Sequence, residues 1–87
     1  MGFCEGELVV CTAGREKDRL MYVTAYDGKY VYLADGKERS LDNPKRKNPQ
    51  HLRKTDKHIS AEAAKTDRAL RKALSGEVLT YGKTGHD

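Results

Sequence analysis

Residues 20–36 read Leu20-Met21-Tyr22-Val23-Thr24-Ala25-Tyr26-Asp27-Gly28-Lys29-Tyr30-Val31-Tyr32-Leu33-Ala34-Asp35-Gly36, two apolar-rich runs each closed by Asp-Gly. Both runs are dominated by β-branched and aromatic residues, which fit a pleated, half-buried strand better than a helix. Asp27-Gly28 between them predicts a tight hairpin in which both central residues take positive φ. Strand alternation puts Val31 and Leu33 on one face and Tyr30 and Tyr32 on the other. Asp35-Gly36 predicts a second turn of the same kind.

Upstream, Leu8-Val9-Val10-Cys11 is a compact apolar run suited to a buried strand, and residues 12–19 are a polar loop with Gly14 at its sharpest bend. Downstream, Arg39-Ser40-Leu41 is expected as a short fourth strand. Pro44 and Pro49 bracket Lys45-Arg46-Lys47-Asn48; each proline disfavours helix before it, so this tract should be extended and exposed, its charges splayed outward. Residues 50–55 can close the sheet as a fifth strand with Leu52 as its anchor. Five short strands in about fifty residues point to a small barrel of SH3-like or OB type, and the tight loops favour the SH3-like form.

The last third differs. Ser60 is a candidate N-cap, Ala61 to Leu74 has no Gly or Pro, and Gly76 suits a position just past a helix end. The stripe Ile59, Ala63, Leu70, Ala73 and Leu74 is thin and should dock on a barrel without making a core. The expected organisation is therefore a barrel over 1–58, a helix over 59–76 and a disordered tail over 77–87.

The chain has 87 residues, with 17 Lys and Arg against 13 Asp and Glu, a net charge of +4 and only 37% apolar residues. That length leaves room for one small domain and no deep substrate cleft. Residues 44–58 hold six cations against one anion, so the whole positive excess lies there, the footprint of a polyanion binder. No run approaches ~18 apolar residues, so no membrane span is expected. The N-terminus lacks a signal-peptide core, and Gly6 stands where myristoylation wants Ser or Thr. The default compartment is the cytoplasm, and Cys4 and Cys11 read as free thiols.

Catalytic constellations are not visible. Gly82-Lys83-Thr84 resembles a P-loop end, but Glu77 stands where the upstream glycine belongs. His51, His58 and His86 have no zinc spacing with the cysteines, so neither a metal nor a cofactor is expected. Glu16 and Asp18 alternate with Arg15, Lys17 and Arg19, which reads as an ordinary charged loop. No enzyme is indicated.

The candidate RNA-binding residues are Arg15, Lys17 and Arg19 in the first loop, Lys37 and Arg39 after the second turn, and Lys45, Arg46, Lys47, Arg53 and Lys54 around the prolines. Such cations can track successive phosphates, and the arginine fork suits bidentate contacts. Asn48, Gln50 and His51 add groups able to reach base edges or 2′-hydroxyls. Tyr30 and Tyr32 can stack on bases or simply pack on neighbouring strands. Gly14, Gly28 and Gly36 are the candidate turn glycines.

The stretch from Val9 to Val23, with Thr12-Ala13-Gly14-Arg15-Glu16-Lys17-Asp18-Arg19 at its centre, resembles a KOW motif. Leu33-Ala34-Asp35-Gly36-Lys37-Glu38-Arg39, then Asn43-Pro44-Lys45-Arg46-Lys47-Asn48-Pro49-Gln50-His51-Leu52, resembles the small bacterial KOW-domain RNA-binding proteins, themselves similar to a class of large-subunit ribosomal proteins. The likeness covers about residues 6–55. It implies an SH3-like KOW barrel that binds ribosomal or other structured RNA, with the ribosome itself as a partner, and without catalysis. By this resemblance Gly14 is the motif's turn glycine, Arg15, Lys17 and Arg19 line the RNA-facing loop, and Lys45, Arg46, Lys47 and His51 form its basic tract. The motif often has a second glycine where Asp18 stands. Residues 59–87 have no counterpart in it.

The leading expectation is thus a monomeric, non-enzymatic RNA binder of the translation apparatus. The alternatives are a protein-interaction module using a barrel groove or the C-terminal helix, and a DNA binder.

Overall fold

The computed structural model describes residues 2–82. Five strands form one antiparallel sheet: β1 (Glu7–Cys11), β2 (Leu20–Tyr26), β3 (Val31–Ala34), β4 (Lys45–Lys47) and β5 (Leu52–His58), in the order β4-β3-β2-β1-β5. One helix follows, α1 (Asp67–Gly82). The architecture is mainly β with a single C-terminal helix.

The connection from β4 to β5 forces the sheet to curl. A flat five-stranded sheet sets its edge strands about 19 Å apart, at ~4.8 Å per strand spacing. The link from Lys47 to Leu52 covers about 17 Å at full stretch, and it is shortened by a 3₁₀ turn at Pro49–His51. Curling also explains how Val9, Cys11, Met21, Val23, Val31 and Leu33 are all fully buried on the face opposite the one where Leu70 and Leu74 of α1 pack. Phe3, Tyr26 and Leu52 pack at the margin of that cluster.

The other face carries a second apolar cluster. Leu8, Leu20, Tyr22 and Ala34 meet Ala64, Leu70 and Leu74, with Val10, Leu41 and Ile59 at the edge. The helix therefore does more than dock lightly: it completes half of the core. Its start also differs from the expectation of 59–76. Residues 60–64 form turns in which Ser60 accepts from the Ala63 amide, and Thr66 is the residue that caps α1, its hydroxyl accepting from the Ala69 amide at 3.1 Å. Gly76 lies inside the helix, and 77–82 are helical rather than tail. Residues 83–87, with the rest of the expected tail and the P-loop-like tract, lie outside the described residues.

The fourth strand is the other correction. Residues 39–41 are loop, while Lys45–Lys47 pair with β3 through Val31↔Lys47, Tyr32↔Arg46 and Leu33↔Lys45. The loop at 35–39 closes on the Asp35 carboxylate, which accepts from the Lys37 and Arg39 amides at 2.9 Å each. In the β2–β3 turn Asp27 takes the same role, accepting from the Lys29 and Tyr30 amides and from the Tyr32 hydroxyl. Only Gly28, at φ +92°, has positive φ there, so this is not the turn with two left-handed residues that Asp-Gly suggests. Cys4 is exposed, Cys11 is buried, and both are free; burial pushes the Cys11 thiol up. Among the described residues no helix is long and apolar enough to cross a membrane.

Candidate nucleic-acid interface

Cross-strand partners share a face, so the register of β4 decides where its cations point. Lys45 and Lys47 oppose Leu33 and Val31, which are both on the enclosed face. Arg46 opposes Tyr32 on the outer face. Lys47 is accordingly 8% exposed, and its ammonium lies 3.1 Å from Glu16, itself 6% exposed. Gly14, at φ +85°, makes room for this contact: a Cβ there would stand 2.8 Å from the Lys47 Nζ. Lys47 is therefore a structural cation and not part of the splayed tract, and Glu16 is its buried partner rather than a member of an ordinary charged loop. Burial alone would raise the Glu16 carboxyl, but the hydrogen bond and charge of Lys47 outweigh it and hold the group below the usual carboxylate range.

The pair fastens the 12–19 loop to β4. Three further contacts draw in the 35–39 loop. Arg19 bonds Glu38 at 2.8 Å and stands 3.7 Å from Asp35, and Arg39 reaches within 4.0 Å of Glu16. The Thr12 amide also donates to the His51 carbonyl at 2.8 Å, joining the 3₁₀ turn to the same loop. The candidates at positions 15, 17, 19, 37, 39 and 45 thus belong to one connected surface, while Arg46 turns to the other face of β4.

Within it the cations are not equivalent. Arg15, Lys17 and Lys37 are exposed, and no ion pair or hydrogen bond engages their side chains among the described residues. Lys45 is half-buried at the rim. Arg46 is exposed and lies over the Tyr30 ring, 4.6 Å from its centroid. Lys29 approaches the same ring at 5.5 Å. Tyr30 and Tyr32 are half-buried and already engaged, Tyr32 through Asp27, which raises its phenol. Packing on neighbours is therefore what occupies both rings. Arg19 and Arg39 are tied to acids, so their charge is partly compensated.

The remaining candidates follow β4 in the chain, on the 3₁₀ turn and β5. Asn48 accepts from the Gln50 amide at 2.9 Å and caps the 3₁₀ turn. His51 and Gln50 are exposed on that turn. Arg53 and Lys54 sit on β5, at the opposite end of the strand order from β4. Arg53 is exposed across from Val10, while Lys54 pairs with Glu7 at 3.4 Å and covers the Phe3 ring.

The α1 face holds cations that sequence reasoning does not single out: Arg68, Arg71 and Lys72, all exposed. Their i, i+3, i+4 spacing is the signal that could have found them. Among the described residues, no three of His, Cys, Asp and Glu gather so as to hold a metal ion. No protein-family model matches the chain, and no curated protein matches it.

Proposed function

We propose that the chain is a non-enzymatic RNA-binding module of the translation apparatus, an SH3-like barrel of the KOW type that holds ribosomal or other structured RNA by its phosphates and works as a monomer in the cytoplasm. The observation that carries this reading is a loop bearing exposed Arg15 and Lys17 that the Glu16–Lys47 pair fastens to an edge strand, with Lys45 at the rim of that face and Arg46 exposed on the other. Cations left without acidic partners on a firmly held surface are what a phosphate backbone requires. The resemblance to the KOW motif gains support at Asp18. Its φ of +70° is the backbone that glycine favours, and glycine is what the motif often carries there. Among the described residues, the apolar Leu70 and Leu74 of α1 are covered by the sheet.

The test is a salt titration with a labelled ribosomal RNA hairpin. Replacing Arg15, Lys17, Lys45 and Arg46 by Gln, with Lys47 left in place, should flatten the slope of log K against log salt by about 3–4 units, near one for each phosphate no longer neutralised. Failure of the parent protein to bind the hairpin in dilute buffer overturns the proposal. A slope unchanged in the folded variant removes this surface as the contact.

A further inference from the structure

We infer that the phosphate track continues beyond the loops onto α1, where Arg68, Arg71 and Lys72 form a second RNA-contacting face joined to the first through the 35–39 loop. This rests on the RNA-binding reading above and extends it to residues outside the basic tract.

Three observations support it. The first is the face itself. At 100° per residue, Arg68, Arg71, Lys72 and Ser75 lie on the side of α1 away from buried Leu70 and Leu74, and they line a shallow, open depression. Arg68 to Ser75 spans about 10 Å of helix axis at 1.5 Å per residue.

The second is the lack of compensation. Like charges at i, i+3 and i+4 destabilise a helix slightly, and among the described residues no salt bridge relieves them, although Asp67 stands four residues before Arg71. Asp67 accepts from the Leu41 amide at 2.7 Å, and Glu77 pairs with Lys57 at 3.6 Å. Glu62, before the helix, pairs with Lys65. No ion pair engages Arg68, Arg71 or Lys72 among the described residues. Three uncompensated cations on one rigid face match an anion supplied from outside.

The third is continuity. Gly36 lies against the first turn of α1: a Cβ there would overlap the Asp67 carbonyl oxygen and stand 2.9 Å from the Arg71 amide nitrogen. The same loop carries exposed Lys37, and its Glu38 and Arg39 contact the 12–19 loop. The 35–39 loop therefore touches the 12–19 loop on one side and α1 on the other, which sets Arg15 and Lys17, Lys37, and Arg71 on three elements in series. A polyanion with regularly spaced phosphates can follow such a series, and the arginine fork suits each contact.

The experiment uses the full chain and two RNA duplexes, one short and one several turns long. Replacing Arg68, Arg71 and Lys72 by Gln keeps helix propensity and leaves the buried stripe untouched. With the long duplex, the log K against log salt slope should flatten by about 2–3 units. With the short duplex, which the loop surface alone can hold, it should stay within about one unit of the parent. Arg68→Lys with Arg71→Lys should retain the parent slope on the long duplex. If the triple variant melts early, each single Gln variant should still flatten the slope by about one unit. Parent-like slopes in all Gln variants overturn the inference and leave the loop interface standing. No binding of either duplex by the parent overturns both. Polyglutamate displacing the long duplex at equal charge concentration would also overturn it, by making the face a site for acidic protein.

Discussion

Lys47→Met should lower stability by about 3–5 kcal/mol at neutral pH, the range for breaking a buried ion pair by removing one partner. Methionine preserves most of the apolar stem, so packing changes little and the loss is electrostatic. What remains is the Glu16 carboxylate, 6% exposed, with Arg39 4.0 Å away as its nearest remaining cation. Adding Glu16→Gln should return most of the loss, because an amide in that position carries no charge to desolvate. Urea midpoints of the two single variants and the double variant close the cycle. A Lys47→Met protein as stable as the parent would show that the pair is ornamental and that the loop is held by other contacts.

The pH dependence separates this effect from simple loss of packing. In the parent, Glu16 lies below the usual carboxylate range. Its contribution is therefore complete above the unfolded value of about 4.3 and is lost as pH falls through the lower folded value. In Lys47→Met the hydrogen bond and charge of Lys47 are gone, and only the Glu16 backbone amide and the Lys45 charge remain against burial. The folded value rises from its parent position, so the variant binds the proton more readily than the parent does and loses less stability as pH falls from about 6 toward 4. The gap between variant and parent should narrow over that interval. A constant gap would assign the loss to packing.

Lys47 also shows where a sequence stops being informative. The strands at 20–26 and near 31–34 are legible because period-two alternation and β-branched residues act locally. The tract at 45–47 is legible as extended, because proline geometry is local too. Its pairing with β3 is not: three charged residues carry no hydrophobic alternation, and only the register with Val31 and Leu33 turns two of them inward. Glu16 looks like any loop acid until that register is known. The start of the helix is ambiguous for a similar reason. Ser60 and Thr66 are both competent caps, and the deciding contacts are tertiary: Asp67 accepts from the Leu41 amide, and Leu70 and Leu74 meet the sheet. The basic loops survive as a connected surface because exposed cations need no partner to be found.

Gly36→Ala should be nearly as damaging as loss of Lys47, for a reason that involves no charge. Gly36 has φ +77°, where an alanine costs roughly 1–2 kcal/mol. Its Cβ would also overlap the Asp67 carbonyl oxygen. That atom is backbone at the start of α1 and cannot rotate away, so the helix must move. Moving it strips cover from Leu70 and Leu74, each worth about 1.5–3 kcal/mol when buried. Partial relaxation recovers some of this, and a net loss of about 3 kcal/mol follows, a fall in melting temperature of roughly 12–24 °C for a domain of this size. Gly28→Ala is the control. Its φ of +92° imposes similar backbone strain, but nothing lies within 4 Å of the added carbon, so about 1–2 kcal/mol is the whole effect. Hydrogen exchange should show α1 amides losing protection in Gly36→Ala well before those of β1 and β2, because the helix-side cluster opens while the enclosed one persists. Equal losses for the two glycine variants would mean that α1 yields without cost, and the two-sided core assigned to this sheet would be wrong.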